Sequence, residues 1–166
     1  DAQESRGLGD VYKRQVVAGA VLLAGLAGCS TDGQGDDLGL QRAAVAAATA
    51  QDSITIAEVV GEDVEAAYVF CPYTVKEDAE KLGFDPKDFP DINNNVRAWE
   101  TASGIGVTYT GGQKAEVEWF DPLKLDACSS EVRAGEALDP RAPIAVRQED
   151  REFAREGNVT IAVLKY

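Results

Sequence analysis

The chain has no histidine. That absence removes every Ser-His-Asp and Cys-His arrangement for nucleophilic catalysis, together with most zinc hydrolase sites. Cysteine is scarce, with three in 166 residues, and Cys71-Pro72-Tyr73 lacks the second thiol of a CxxC redox motif. Two thiols without an imidazole cannot fill a tetrahedral zinc shell unless carboxylates help. There is neither a P-loop nor a G-x-G-x-x-G turn, and no cofactor is expected. Positive charge is also in short supply, with 16 Lys and Arg against 29 Asp and Glu, a formal net charge of −13. Phosphate backbones and anionic lipid headgroups attract clustered Lys and Arg. Nucleic acid is therefore not an expected partner, and there is no polybasic membrane patch. An acidic surface suits solubility, cations or a basic partner protein.

What is present begins with a short apolar run, Val16–Gly25 (VVAGAVLLAG). Extended by Leu26 and Ala27 it reaches about a dozen residues, whereas a spanning helix needs roughly 20. A run this short, followed by small residues, has the form of a signal peptide. The small residues are Leu26-Ala27-Gly28, followed by Cys29. This tetrad resembles the lipobox of bacterial lipoproteins. In that family small side chains let the extended segment enter a narrow peptidase cleft. The cysteine thiol takes a diacylglyceryl group as a thioether, and cleavage before it frees an amine for further acylation. Two or three acyl chains anchor stably where one does not. The resemblance implies lipidation at Cys29, a mature chain starting there, and an extracytoplasmic location on the cell membrane. Ser5–Gln15 (SRGLGDVYKRQ) in turn resembles the translation of a sequencing-library transposon adapter. On that reading Lys13 and Arg14 only imitate a basic leader, and the absence of Met agrees. Residues before Val16 hold three charges of each sign, so the net charge of the remainder stays at −13.

Assigning Cys29 to lipid leaves Cys71 and Cys128 as an even pair. Outside the cytoplasmic membrane a disulfide between them is expected; the alternative is two buried free thiols. The bridge would close a loop of about 58 residues, for which chain entropy gives about 4 kcal/mol of stabilisation.

The expected organisation has four parts. Residues 1–15 are adapter, 16–28 a truncated signal peptide, 29–52 a lipid anchor and flexible tether, and 53–166 a globular domain. Within the tether, Ser30–Asp37 is polar and rich in Gly and Asp. Leu38–Gln51 is rich in Ala and reads either as a short helix with little apolar surface to dock or as more linker. In the domain, Thr55 and Glu58 form a capping-box pattern ahead of Val59, Val60 and a stop at Gly61. Ala66–Cys71 is a continuous apolar run expected to be a central strand. Thr74 and Glu77 form a second capping box, opening a helix with Val75, Ala79 and Leu82 on one face and Gly83 as its stop. Phe84–Asn95 reads as a loop, and Val96–Ala102 as either strand or short helix. Ile105–Thr110 and Lys114–Phe120 alternate cleanly around Gly111-Gly112, a hairpin signal. There Ile105, Val107 and Tyr109 share one face, as do Ala115, Val117 and Trp119, while Thr108, Thr110, Glu116 and Glu118 point the other way. Gly104 and Gly106 read as turn glycines. Asp121–Ala142 is mostly loop, and Arg151–Tyr166 forms a second hairpin about Glu156-Gly157-Asn158. This order predicts an α+β fold: a small, mostly antiparallel sheet with one main packed helix and one disulfide.

Thr55–Tyr166 resembles small uncharacterised lipoproteins of high-GC Gram-positive bacteria. The shared features are Cys71-Pro72-Tyr73 after a first strand, a helix closing on Leu82-Gly83, a later lone Cys128 and a C-terminal Arg155-Glu156-Gly157 turn. The resemblance implies no activity.

Candidate chemistry is thin. Paired carboxylates for glycoside cleavage could come from Asp85, Asp88, Asp91, Glu100, Glu116 or Glu118, although in so acidic a chain these fit a solvated face. Asp91, Asn93 and Asn95 mimic positions one, three and five of a calcium loop, but Val96 stands where Gly is needed and Ala102 where a bidentate Glu is needed. No metal site is expected. Trp99 and Trp119 fit core or rim packing better than a sugar platform. Asn158-Val159-Thr160 has the sequon form and fits a strand entry. The expected function is that of a non-enzymatic binding or interaction module on the outer side of a membrane, with an envelope protein or wall component as partner. The alternatives are a small carboxylate-dependent enzyme acting on wall glycans, an inhibitor of a basic hydrolase, and a subunit that helps assemble a larger envelope complex.

Overall fold

A computed structural model of the chain describes residues 35–90, 100–128 and 135–166. The apolar run expected as a central strand is strand β2, Val64–Phe70. Its alternate residues are buried on both sides, Ala67 and Val69 in one cluster, Phe70 and Tyr68 in another. β3, Ser103–Tyr109, runs antiparallel beside it, with Val69 opposite Ile105 and Phe70 opposite Gly104. β4, Glu116–Phe120, extends the sheet past β3, and β6, Ala137–Leu138, extends it past β2. A second sheet has the order β1-β7-β8-β5, with β1 at Ser53–Ile54, β5 at Leu125–Asp126, β7 at Ile144–Phe153 and β8 at Gly157–Lys165. All pairs are antiparallel except β5 with β8. The fold is α+β, mostly sheet, as the sequence predicts.

The longest described helix is the alanine-rich segment. α1 spans Leu40–Ala50 and buries Leu40, Ala44 and Ala48, a stripe at four-residue spacing. It packs on β1, β7 and β8 and shares one core with Val69, Val107, Val146 and Leu164. The expectation of a tether running to residue 52 is corrected here. A row of methyl groups offers little area per residue but lets the helix axis come close to a sheet, and that closeness supplies the dispersion contacts. The folded part starts earlier still, because the Asp36 N–H donates to the Val117 carbonyl at 2.8 Å, covering the outer edge of β4.

The expected main helix is shorter. α2 spans Ile56–Val60 with Thr55 in the N-cap position and Gly61 as its C-cap, but the capping box does not form: the Thr55 hydroxyl bonds the Glu58 carboxylate and caps no helix amide. α3 covers only Lys76–Lys81, with Val75 in the N-cap position and 52 % exposed. Thr74 does not cap it. Its hydroxyl donates to the Cys71 carbonyl at 2.6 Å and accepts from the Cys71 N–H at 3.0 Å, tightening the turn that leaves β2. Of the expected apolar face, Ala79 is buried and Leu82 half-buried.

Gly104 and Gly106 are strand residues, not turn residues. A methyl group at Gly106 would lie 2.5 Å from the rings of Phe70 and Phe84. These rings, with Phe89 and Trp119, pack edge to face at centroid distances of 5.0 Å for Phe70–Phe84, 4.9 Å for Phe70–Phe89 and 5.3 Å for Phe89–Trp119. Gly111 and Gly112 do adopt positive φ, 83° and 77°. The connection is longer than a two-residue turn, since β4 pairing begins only at Val107–Glu116. The second hairpin closes from Phe153 to Gly157 through Ala154–Glu156, with Gly157 at a positive φ of 73°.

Cys71, just after β2, and Cys128, just after β5, are joined by a disulfide with Cα atoms 5.6 Å apart, well within the range a bridge requires. It links the two sheets. Reducing it, or replacing both cysteines by Ser, should lower unfolding free energy by about 2–5 kcal/mol, read as a shift in the guanidinium midpoint with and without reductant. An unchanged midpoint would exclude a structural bridge. Gly106→Ala should cost about 1–3 kcal/mol by overpacking in the same assay, while Gly111→Ala, which meets no atom within 4 Å, should show only the smaller cost of its positive φ.

Candidate functional site

The alternation of β4 puts Glu116 and Glu118 on the opposite face from Val117 and Trp119. Strand register then places Glu118 against Ile105 and Glu116 against Val107. The charged positions of one strand thus share a face with the apolar positions of its partner. That is not the solvated face expected for them. Both faces of this sheet are covered, one by α1 and the second sheet's core residues, the other by the aromatic cluster. Glu118 is only 6 % exposed. Its carboxylate accepts the N–H of Leu40 at 2.8 Å and of Gln41 at 3.0 Å. These are first-turn amides of α1, whose N-cap Gly39 offers no side chain. Burial pushes the Glu118 carboxyl above the ordinary glutamate range; the Gln41 and Leu40 amides pull it down, and Asp37 adds to the rise.

Asp85, Asp88 and Glu116 have partners of their own. Asp85 accepts the Lys87 N–H at 3.0 Å, capping a 3-10 turn at Pro86–Asp88. Asp88 pairs with Lys114 at 3.0 Å, and its backbone carbonyl takes the Trp119 indole N–H at 2.7 Å. The Tyr109 hydroxyl bonds the Glu116 carboxylate. Glu100 is exposed. Trp119 belongs to the aromatic cluster. Asn158 and Thr160 lie in β8, where the Thr160 hydroxyl bonds Asp150 at 2.6 Å. Cys29, Asp91, Asn93, Asn95 and Trp99 lie outside the described residues. Among the described residues no group of three or more His, Cys, Asp or Glu side chains could hold a metal ion.

A groove of about 780 Å³ lies beside the disulfide. Cys71 and Pro72 after β2, Thr101 and Ser103 around the start of β3, the Asp121–Cys128 connection and the β7–β8 hairpin enclose it. Its floor is Leu125 and Ile161, both buried. The Ser103 hydroxyl accepts the Ala127 N–H at 3.2 Å, and Asp126 accepts the Cys128 N–H at 2.7 Å, which fixes the wall carrying the bridge. Arg151 reaches Glu149 at 2.9 Å and Asp126 at 3.5 Å, and Glu149 also holds Lys165 at 2.7 Å. These two cations hold the Glu149 carboxyl below the ordinary range, Lys165 first.

The chain matches no family model, no curated protein and no solved structure. The groove is therefore judged on its own geometry: an apolar floor, a polar rim and a fixed wall, the common form of a binding site. Sequence reading missed it because its walls come from distant segments, one of them taken for plain loop. The available signal was Cys128, which had to lie beside Cys71.

Glu118 gives a test of the helix anchor. Its folded pKa is raised, so its contribution to stability is fully present below the unfolded value and is lost as pH rises through the folded one. Glu118→Gln should remove that component, so the difference in unfolding free energy between wild type and variant should change across this window. Identical pH profiles would contradict the assignment. Glu118→Ala should cost about 1–3 kcal/mol at neutral pH, because two helix N–H groups lose their acceptor.

Proposed function

We propose that the chain is the precursor of a lipid-anchored envelope protein, a non-enzymatic binding module held by Cys29 on the outer side of a membrane. The observation that carries this reading is Leu26-Ala27-Gly28-Cys29 directly after the short apolar run. The Cys71–Cys128 bridge supports it, since disulfides persist in oxidising compartments. Among the described residues no helix is long and apolar enough to cross a membrane. The fold reaches back to Asp36, so only six residues of sequence separate it from Cys29. The module would then work close to the lipid surface.

A binding role draws support from the groove. The wall-glycan enzyme alternative draws less, because Asp85, Asp88, Glu116 and Glu118 are each occupied by local partners. The anchor is tested by expressing the full chain behind an initiator methionine in a bacterial host supplied with labelled palmitate. Label should enter the wild type and Cys71→Ser alike and be lost from Cys29→Ser, with loss of membrane association. Label retained by Cys29→Ser would overturn the anchor.

A further inference from the structure

We propose that the groove beside the Cys71–Cys128 bridge docks a basic, amphipathic peptide segment of a partner protein, an inference that deepens the proposed binding role and rests on it. The argument starts from the floor. Leu125 and Ile161 are buried beneath it, and Leu123 and Phe153 are half-buried along it. Apolar surface of this kind, in a volume of about 780 Å³, holds more than a single side chain and suits aliphatic or aromatic groups.

Charge then selects among apolar ligands. Asp121, Asp126 and Glu152 border the groove, and Arg151 is the one cation among the described residues lining it. Arg151 is held by Glu149 at 2.9 Å and Asp126 at 3.5 Å, so its charge is already committed to carboxylates and recruits no anion. Asp121 is matched by Lys124 at 3.2 Å, which leaves the exposed Glu152 as the rim charge open to an incoming cation. The chain's net charge of −13 steers cations toward the molecule as a whole.

The surface continues beyond the groove. Pro72 forms part of its wall, and the turn that follows exposes Tyr73 at 58 % and Val75 at 52 %. Tyr73 is held at φ 68°, a conformation that non-glycine residues seldom adopt. An exposed aromatic side chain thus directly follows the Pro72 wall of an apolar groove with an acidic rim. A segment alternating Lys or Arg with Leu or Phe matches both features, whereas an acidic or wholly polar one matches neither.

The test uses the full oxidised chain and three fluorescent peptides: one alternating Lys and Leu, one with Glu in place of Lys, one with Ser in place of Leu. Anisotropy at about 0.15 M salt, where long-range charge effects are screened, should show saturable binding of the Lys-Leu peptide and about tenfold weaker binding of the others. Asp126→Asn combined with Glu152→Gln should weaken it about tenfold, and Arg151→Gln should tighten it about threefold. Glu62→Gln with Glu65→Gln, at the opposite end of β2 from Cys71 and outside the groove lining, should leave it unchanged. Equal loss in that distant variant would mean bulk charge attraction and would overturn the proposal, as would weaker binding in Arg151→Gln or equal binding of the Glu-Leu peptide. Palmitate labelling at Cys29 together with absent peptide binding would remove the groove and leave the anchored module standing. The converse result would remove the anchor and leave the groove.

Discussion

The fold depends on one carboxylate. Glu118 projects from the first sheet and accepts two amides from the opening turn of α1, a helix that otherwise rests on the second sheet. A helix begins with amides that have no partner within it, and its N-terminus carries partial positive charge. Here the residue preceding the helix is glycine, so the acceptor has to come from elsewhere in the chain. Burying a carboxylate is costly unless it is paired or hydrogen-bonded, and the helix amides offset part of that cost. The Gln41 side chain adds a reciprocal contact, accepting the Asp121 N–H at 2.6 Å. The first turn of α1 and the end of β4 are thus fixed together.

The disulfide performs a related task between the two sheets. Cys71 leaves β2 and Cys128 leaves β5, so the bridge sets how far the Asp121–Cys128 connection can stand from the turn after β2. The groove lies in that interval. Its rigid side is set by the bridge, the Ser103 hydroxyl and the Asp126 carboxylate, while the hairpin side carries charges that pair among themselves.

Much of this was readable from residues alone, for identifiable reasons. β2, the end of β8 and the Gly-Gly connection have strong local signals, and the cysteine pairing follows from the count once Cys29 is set aside. The failures share a cause: each depends on what lies opposite. Alanine shows its helix propensity in sequence but not the close approach it permits, so α1 read as tether. Glu118 alternates with apolar neighbours and so read as solvent-facing, although both faces of its sheet are covered. Gly104 and Gly106 read as turns because the rings that exclude their side chains lie elsewhere in the chain. The charged half of β7, Arg147–Glu152, has no apolar rhythm and becomes a strand only through pairing with β8. The groove was the least legible feature, because no single segment of the chain contains it.

Gly104 and Gly106 carry a consequence for descent. Neither position admits a side chain: a methyl at the first would lie 2.7 Å from the Glu118 carbonyl oxygen, and at the second 2.5 Å from two rings. A diverging copy of this gene can change most of its acidic surface freely. It can change the codon for Gly106 only if the opposing aromatic rings shrink at the same time, and that for Gly104 only if the β4 backbone also moves away. Ancestry in such a lineage would survive as a scattered signature: two glycines one residue apart, a downstream acid, and an upstream row of alanines. No contiguous motif would preserve it.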